Sequence, residues 1–127
     1  MTAPSPNAGL MWRVLDQIDA HPELWDQEYW FTVTECGTAA CVAGWACLLS
    51  GDKPLPLLGK FEDLSVGEQA AHVDVQGWMR LTRLRAQELL GITEEQADVL
   101  FHYENTREDL DRLVPEIFGP RPSEVSS

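Results

Sequence analysis

Three cysteines, Cys36, Cys41 and Cys47, lie within twelve residues of one another and are the first candidates for chemistry. Cys36 comes just before a run of helix-forming residues, and the N-terminus of a helix stabilises a thiolate through its dipole and free N–H groups. His72 follows Cys36 along the chain, in the order of nucleophile and base that papain-like hydrolases use. Cys36 and His72 are therefore the candidate catalytic pair of a cysteine hydrolase. The alternative is that Cys36 is a small structural residue at a tight turn made by Gly37.

A metal site built from these cysteines would need a histidine to complete a set of four ligands. The chain has three histidines. However, Cys41 and Cys47 are six positions apart on one predicted helix, about 240° around its axis, so they face different directions. The sequence also contains no Cys-x-x-Cys pair. We therefore expect no metal ion, and no motif indicates another cofactor.

Candidate binding residues come from the basic and the aromatic side chains. Arg80 and Arg83 share one face of a predicted helix and could bind an acidic or phosphate-bearing partner. The alternative is a solvated helix face on which these arginines offset neighbouring acids. Trp12 lies off the apolar stripe of the first predicted helix, and Trp25 lies in irregular chain. Both are candidates for contacts with a partner, and packing against the wall of the core is the alternative.

Acidic residues dominate the charge of the chain, which has 127 residues, 21 of them Asp or Glu and 9 of them Lys or Arg, and a net charge of −12. This balance argues against a duplex-binding protein, since phosphate neutralisation needs an excess of basic residues, and against docking on anionic lipid. It favours a protein partner with a basic surface. It also permits an inhibitor whose carboxylates imitate the phosphates of DNA, although charge of this size also simply keeps a protein in solution.

The sequence gives two indications of where the protein works. No run of 18 apolar residues is present, and the first residues do not form a secretory signal. Three cysteines without such a signal are typical of reduced thiols. We therefore expect a cytoplasmic protein.

The spacing of apolar residues predicts a mostly α fold, with about five helices around a buried central helix at about 38–50 and at most a small two-stranded element. Thr38 suits the N-cap of the central helix, Gly51 suits its end, and no charged residue lies between them. Gly44 belongs to a stripe of small residues on this helix, which would let another backbone approach closely.

Local signals place the other elements. Asn7 suits the N-cap of a first helix, and a strong helix is expected at about 76–90. Thr93 and Thr106 each begin a capping box and predict two further helices. Residues 72–75 alternate between apolar and polar side chains, which indicates a short extended segment.

The two ends of the chain differ in composition from its middle. Residues 1–6 contain two prolines, and residues 119–127 are rich in proline and serine. We therefore expect one helical domain over residues 7–118, with flexible ends at 1–6 and 119–127.

Residues 36–46 have a distinctive order, Cys-Gly-Thr-Ala-Ala-Cys-Val-Ala-Gly-Trp-Ala. Together with Leu-Leu-Gly-Ile at 89–92 and the residues at 97–101 and 105–110, this block resembles a family of small uncharacterised proteins of actinobacterial phages, mycobacteriophages especially. The resemblance covers residues 21–118 and carries no catalytic residue across. It implies a phage-encoded protein made in the cytoplasm of a bacterial host. We therefore expect a small acidic phage protein that binds a host or phage protein, with the cysteine hydrolase and the DNA mimic as alternatives.

Overall fold

The computed structural model of the protein describes residues 6–56, 60 and 63–121, which form five α-helices, a short 3₁₀ helix and two three-stranded antiparallel sheets. The helices are α1 (Ala8–Ala20), α2 (Val42–Leu49), α3 (Thr82–Leu90), α4 (Glu94–Leu100) and α5 (Arg107–Phe118). The strands are β1 (Phe31–Thr34), β2 (Gly37–Ala40), β3 (Lys53–Leu55), β4 (Gln69–Ala70), β5 (His72–Val75) and β6 (Trp78–Leu81). The fold is therefore mixed α and β, and the prediction of a mostly α or all-α protein with at most two strands is wrong.

The two sheets follow each other along the chain. The first has the strand order β2–β1–β4 and the second has the order β3–β5–β6. Only Ala71 separates β4 from β5, so the chain passes from one sheet to the other at this residue. The pairing of β1 with β4 ends at Phe31 and Ala70.

The central helix exists, but it is shorter than predicted. Val42 to Cys47 are buried, as expected for a helix without charges. However, the helix begins at Val42 with Cys41 as its N-cap, because residues 37–40 form strand β2 and pair with β1. Pairing within a sheet has overridden the helix propensity of the alanines at 39 and 40.

The helix predicted at about 76–90 is also shorter, and its first part is a strand. Gln76 and Gly77 have φ angles of 52° and 93° and form a two-residue turn that folds β6 back on β5. The side chain of Asp74 supports this turn by accepting a hydrogen bond of 2.7 Å from the N–H of Gly77. Helix α3 begins only at Thr82.

Three predicted helix starts are confirmed. The side chain of Asn7 accepts a hydrogen bond from the N–H of Leu10 at the start of α1. Thr93 and Thr106 form complete capping boxes at the starts of α4 and α5. The apolar stripe of α1 is buried, and it consists of Leu10, Met11, Val14, Leu15 and Ile18.

Gly44 lies at the closest approach between α2 and the first sheet. A Cβ atom at this position would lie 2.1 Å from the carbonyl oxygen of Trp30 and 2.7 Å from the Cβ of Ala40. The small residue therefore admits the backbone just before β1, which is the close approach predicted from the stripe of small residues.

The predicted flexible ends lie largely outside the described residues, which exclude 1–5 and 122–127. Arg121 belongs to the expected C-terminal tail, and its guanidinium bonds to Asp16 at 2.6 Å and lies 4.8 Å from the centre of the Trp12 ring. In the described part of the chain, every helix falls short of the length and apolar character needed to cross a bilayer.

Candidate functional site

Cys36 lies in the turn between β1 and β2, not before a helix. It is exposed, and its N–H donates to the side-chain oxygen of Thr34 at 3.1 Å. That oxygen in turn donates to the carbonyl of Gly37 at 2.8 Å. Cys36 therefore occupies a hydrogen-bonded hairpin turn and does not have the helix N-terminus that would activate a thiolate.

His72 lies in β5, where it pairs with Leu55 of β3 and Leu81 of β6. His72 lies two residues after Ala70, which pairs with Phe31 at the first end of β1. Cys36 lies two residues after Thr34, at the other end of β1. The four residues of β1 span about 10 Å. The structure therefore does not bring Cys36 and His72 together as nucleophile and base.

The other two cysteines are buried within the fold. Cys41 is the N-cap of α2, and burial raises the pKa of its thiol to about 11, although the N–H groups of Gly44 and Ala43 act in the opposite direction. Burial also raises the pKa of Cys47 well above its usual range. Both thiols are therefore neutral at physiological pH and unsuited to nucleophilic attack.

Arg80 and Arg83 each face a carboxylate of the same chain. Arg80 bonds to Glu88, and Arg83 bonds to Asp98 and to the carbonyl of Glu94. Both guanidiniums thus have intramolecular partners, and their role in binding another molecule stays a prediction.

Trp12 and Trp25 are half-buried and pack against the hydrophobic core. Trp12 is covered by the guanidinium of Arg121, while its indole N–H is buried without a hydrogen-bond partner. The indole N–H of Trp25 donates to the side-chain oxygen of Gln27 at 3.0 Å. Trp12 and Trp25 are both less exposed than Trp78. Their role in contacts with a partner stays a prediction.

Trp78 at the tip of the β5–β6 hairpin is instead the prominent exposed aromatic, with 76% of its surface accessible. Met79, Leu81 and Leu84 follow it and are 59%, 49% and 48% exposed. The exposure of these residues was not predicted from the sequence, because a helix was expected at about 76–90. The signal that could have found them is the Gln-Gly pair at 76–77 between two β-prone runs.

Met79 and Leu81 point to the same side of the second sheet, because alternate residues of a strand share a face. Val73 lies on the opposite side, paired with Arg80, and is fully buried. Met79 and Leu81 therefore face outwards. Together with Leu84 of α3 they form what we call the apolar face.

A cavity of about 280 Å³ opens beside the apolar face. Its walls are almost entirely apolar, and it is lined by Trp30, Ala71, Leu81, Arg83 and Leu84. We call it the Leu84 cavity. The last β1–β4 pair joins Phe31 to Ala70. Trp30 comes just before Phe31 and Ala71 comes just after Ala70, so the cavity lies where the two sheets separate.

A second cavity of about 280 Å³ is also lined by Trp30, and we call it the Trp30 cavity. Five aromatic residues line it, namely Tyr29, Trp30, Phe101, His102 and Tyr103. Its charged lining consists of Glu28, Asp98 and Arg83. Trp30 and Arg83 are shared with the Leu84 cavity, so the two are neighbours on one surface.

Gln27 fixes the floor of the Trp30 cavity. It is only 8% exposed, and its amide N–H group donates to the carbonyls of Leu100 and His102 at 3.3 and 3.1 Å. Its side-chain oxygen accepts from the N–H of Val42 at 3.2 Å and from the indole of Trp25. One buried amide thus joins the start of α2 to the end of α4, and nothing in the local sequence distinguishes it from a surface glutamine.

Within the described residues, no group of three or more His, Cys, Asp or Glu side chains is arranged to hold a metal ion. Comparisons of the chain with protein-family models, curated proteins and solved structures gave no match. The resemblance to phage proteins therefore stays a prediction.

Proposed function

We propose that the protein is a small acidic protein-binding factor, encoded by a phage, that binds a host or phage protein with a basic surface in the bacterial cytoplasm. The observation that supports this most directly is the apolar face of Met79, Leu81 and Leu84, each of which is about half exposed or more. Contiguous exposed apolar residues on a protein surface are typical of sites of interaction. Tryptophan and methionine are also enriched at the centres of such interfaces.

The position of the apolar face in the sheet supports the same function. Strand β6 is an edge strand of the second sheet. Native proteins usually protect such edges with charged side chains, because an open edge can pair with another chain. The only charged residue of β6 is Arg80, which lies on the opposite side from Met79 and Leu81 and bonds to Glu88. In the part of the chain that the structure describes, no further strand pairs with β6, so its edge can accept an added strand from a partner.

The charge of the chain supports a basic partner. Its net charge is −12. Asp74 pairs with Met79 on the outer side of the sheet, and Glu28 and Asp98 line the neighbouring Trp30 cavity. A basic surface would be steered toward this region, because complementary charges speed association and disfavour acidic competitors.

The test is affinity capture from a bacterial host lysate at physiological salt, using the wild-type protein and a Leu81→Ser variant. We expect an identified partner whose capture is lost with Leu81→Ser. The matched control is Val99→Ser, since Val99 is 50% exposed on α4 and lies outside the apolar face. With the purified partner, calorimetry should show binding about 30-fold weaker for Leu81→Ser, the loss typical of an interface hot spot.

Three results would contradict the proposal. One is the absence of any enriched partner, and another is equal loss of capture in the Leu81→Ser and Val99→Ser variants. The third is a stable homodimer in light scattering that Leu81→Ser dissociates, because the apolar face would then be covered by a second copy of the chain.

A further inference from the structure

The Trp30 cavity combines two kinds of wall that suit one kind of ligand. Aromatic rings attract cations through their negatively charged faces, and carboxylates attract them directly. Tyr29, Trp30 and Tyr103 supply rings, and Glu28 and Asp98 supply carboxylates. The side chain of Gln27, which also lines the cavity, is a neutral amide.

We propose that the Trp30 cavity binds a cationic side chain, an arginine or a lysine, of the partner protein. The inference rests on the proposed function, since it names the group by which a basic partner would be anchored. It assigns a role to Tyr103, which is 60% exposed although it is a large aromatic residue.

The charges within the cavity leave one carboxylate available. The only cation in the lining, Arg83, is engaged by Asp98. Glu28 is exposed, and among the described residues no Lys, Arg or His nitrogen lies within 4.0 Å of its carboxylate. An incoming cation can therefore pair with Glu28 without displacing Arg83.

The walls of the cavity are held in place before any ligand arrives. Trp30 and Phe101 pack edge to face with their ring centres 6.4 Å apart. The rings of His102 and Tyr103 stack with their centres 4.9 Å apart. The amide of Gln27 holds the carbonyl of His102 from below. A site that is already ordered loses less entropy on binding than a mobile one.

The Leu84 cavity lies next to the Trp30 cavity, so one segment of a partner could occupy both. The two cavities share Trp30 and Arg83. An extended segment that pairs with β6 could place an apolar side chain in the Leu84 cavity and a cationic one in the Trp30 cavity. The partner class is thus a protein with a basic and an apolar residue close together in an exposed segment.

The experiment is a titration of the ¹⁵N-labelled protein, followed by NMR, with Nα-acetyl-arginine amide and Nα-acetyl-lysine amide. The matched neutral probe is Nα-acetyl-citrulline amide, which keeps the shape of arginine without its charge. We expect one or both cationic probes to shift the indole signal of Trp30 and the amide signals of residues 101–103. The citrulline probe should leave these signals in place.

Variants test which groups carry the binding. Glu28→Gln and Tyr103→Leu should each weaken binding of the cationic probe about two- to fivefold. Tyr103→Phe should bind the probe as the wild type does, because the ring is retained. The matched control is Glu35→Gln, since Glu35 is also an exposed acid and lies in the turn between β1 and β2. Unchanged signals elsewhere in each spectrum would show that the variants fold.

The proposal is overturned if the citrulline probe shifts the same signals, if shifts spread over the whole acidic surface, or if Glu28→Gln and Glu35→Gln behave alike. These results are separable from failure of the proposed function. Capture of a partner that depends on Leu81, without any probe binding, would remove only the cation site. Probe binding without any captured partner would support the cavity and contradict the protein-binding role.

Discussion

The β1–β2 and β5–β6 hairpins both turn through two residues, yet the first is covered by the core and the second is open to solvent. Phe31 and Ala40 of the first hairpin are 0% exposed, because α2 packs on them at Gly44. Trp78, Met79 and Leu81 of the second hairpin are about half exposed or more. Apolar residues in the first hairpin therefore stabilise the fold, whereas those in the second leave apolar surface free for another molecule.

The difference also separates the buried thiols from the candidate recognition surface. The covered region contains the two neutral, buried thiols of Cys41 and Cys47. The open region contains no cysteine, but it carries the apolar face and adjoins the two cavities that share Trp30. We therefore expect substitutions in the first region to change stability and substitutions in the second to change binding.

The largest effect is expected for Gly44→Ala. In an ordinary helix this change is stabilising, because alanine has the higher helix propensity. Here the new Cβ would lie 2.1 Å from the carbonyl oxygen of Trp30, so α2 and β1 must move apart. We expect the free energy of unfolding to fall by about 3 kcal/mol or more in urea denaturation. An unchanged or raised stability would show that the first hairpin is not held closely against α2.

A smaller loss is expected for Asp52→Asn. Asp52 is buried after α2, and its carboxylate accepts hydrogen bonds of 2.8 and 3.3 Å from Arg85 of α3. The guanidinium of Arg85 stays charged with or without this bond, so in the variant it would lose its carboxylate partner. We expect a loss of about 2 kcal/mol in the free energy of unfolding.

The matched control for Asp52→Asn is Arg80→Gln, which breaks the exposed pair between Arg80 and Glu88 at the second hairpin. We expect that change to cost less than about 0.5 kcal/mol in the same denaturation experiment. Equal losses at the two pairs would mean that the open region contributes to stability as much as the covered one.

A weaker effect is expected from pH. Hydrogen bonds from Arg121 and Arg107 lower the pKa of Asp16 and Asp19 of α1 below their ordinary value of 3.8. Because the folded carboxyls bind protons less readily than the unfolded ones, their contribution is present above about pH 4 and is lost as the pH falls. Both carboxylates are exposed, so we expect less than about 1 kcal/mol in total. Thermal melts of an Asp16→Asn, Asp19→Asn variant should show a shallower decline from about pH 5 to pH 3 than the wild type.

The smallest change in stability is expected for Trp78→Ser, at less than about 0.5 kcal/mol, because this indole is mostly in solvent. The matched variant is Trp45→Ser. Trp45 is 9% exposed, and its indole N–H donates to the carbonyl of Leu24 at 3.0 Å. We expect Trp45→Ser to cost about 3 kcal/mol or more in urea denaturation. Similar losses for the two tryptophans would place Trp78 in the core and remove the contrast between the hairpins.

Local signals in the sequence predicted the elements that depend on neighbours along the chain. Asn7, Thr93 and Thr106 begin helices because each side chain bonds to an N–H within three residues. The buried stripe of α1 follows from helical spacing alone. The absence of charge between Thr38 and Gly51 correctly indicated a buried central helix.

The residues of the candidate site could not be predicted from local signals. Met79 and Leu81 suit the interior of a helix or the face of a strand, and only the pairing of β6 with β5 turns them outwards. The Trp30 cavity joins residues 28–30 to residues 98–103, which are distant in sequence. Gln27 bonds to the carbonyls of Leu100 and His102, which are also distant in sequence, and no pattern in the residues around it predicts these hydrogen bonds.

The sequence by itself determined the acidic charge, the capped helices and the burial of the central helix, since these depend on composition and on contacts within a few residues. Tertiary structure decided that residues 37–40 and 78–81 are strands and that Cys36 lies in a turn away from His72. It also decided which tryptophan is exposed. The physical reason is that strand pairing supplies hydrogen bonds between distant segments, and these outweigh the weak local preferences of alanine, methionine and leucine for a helix.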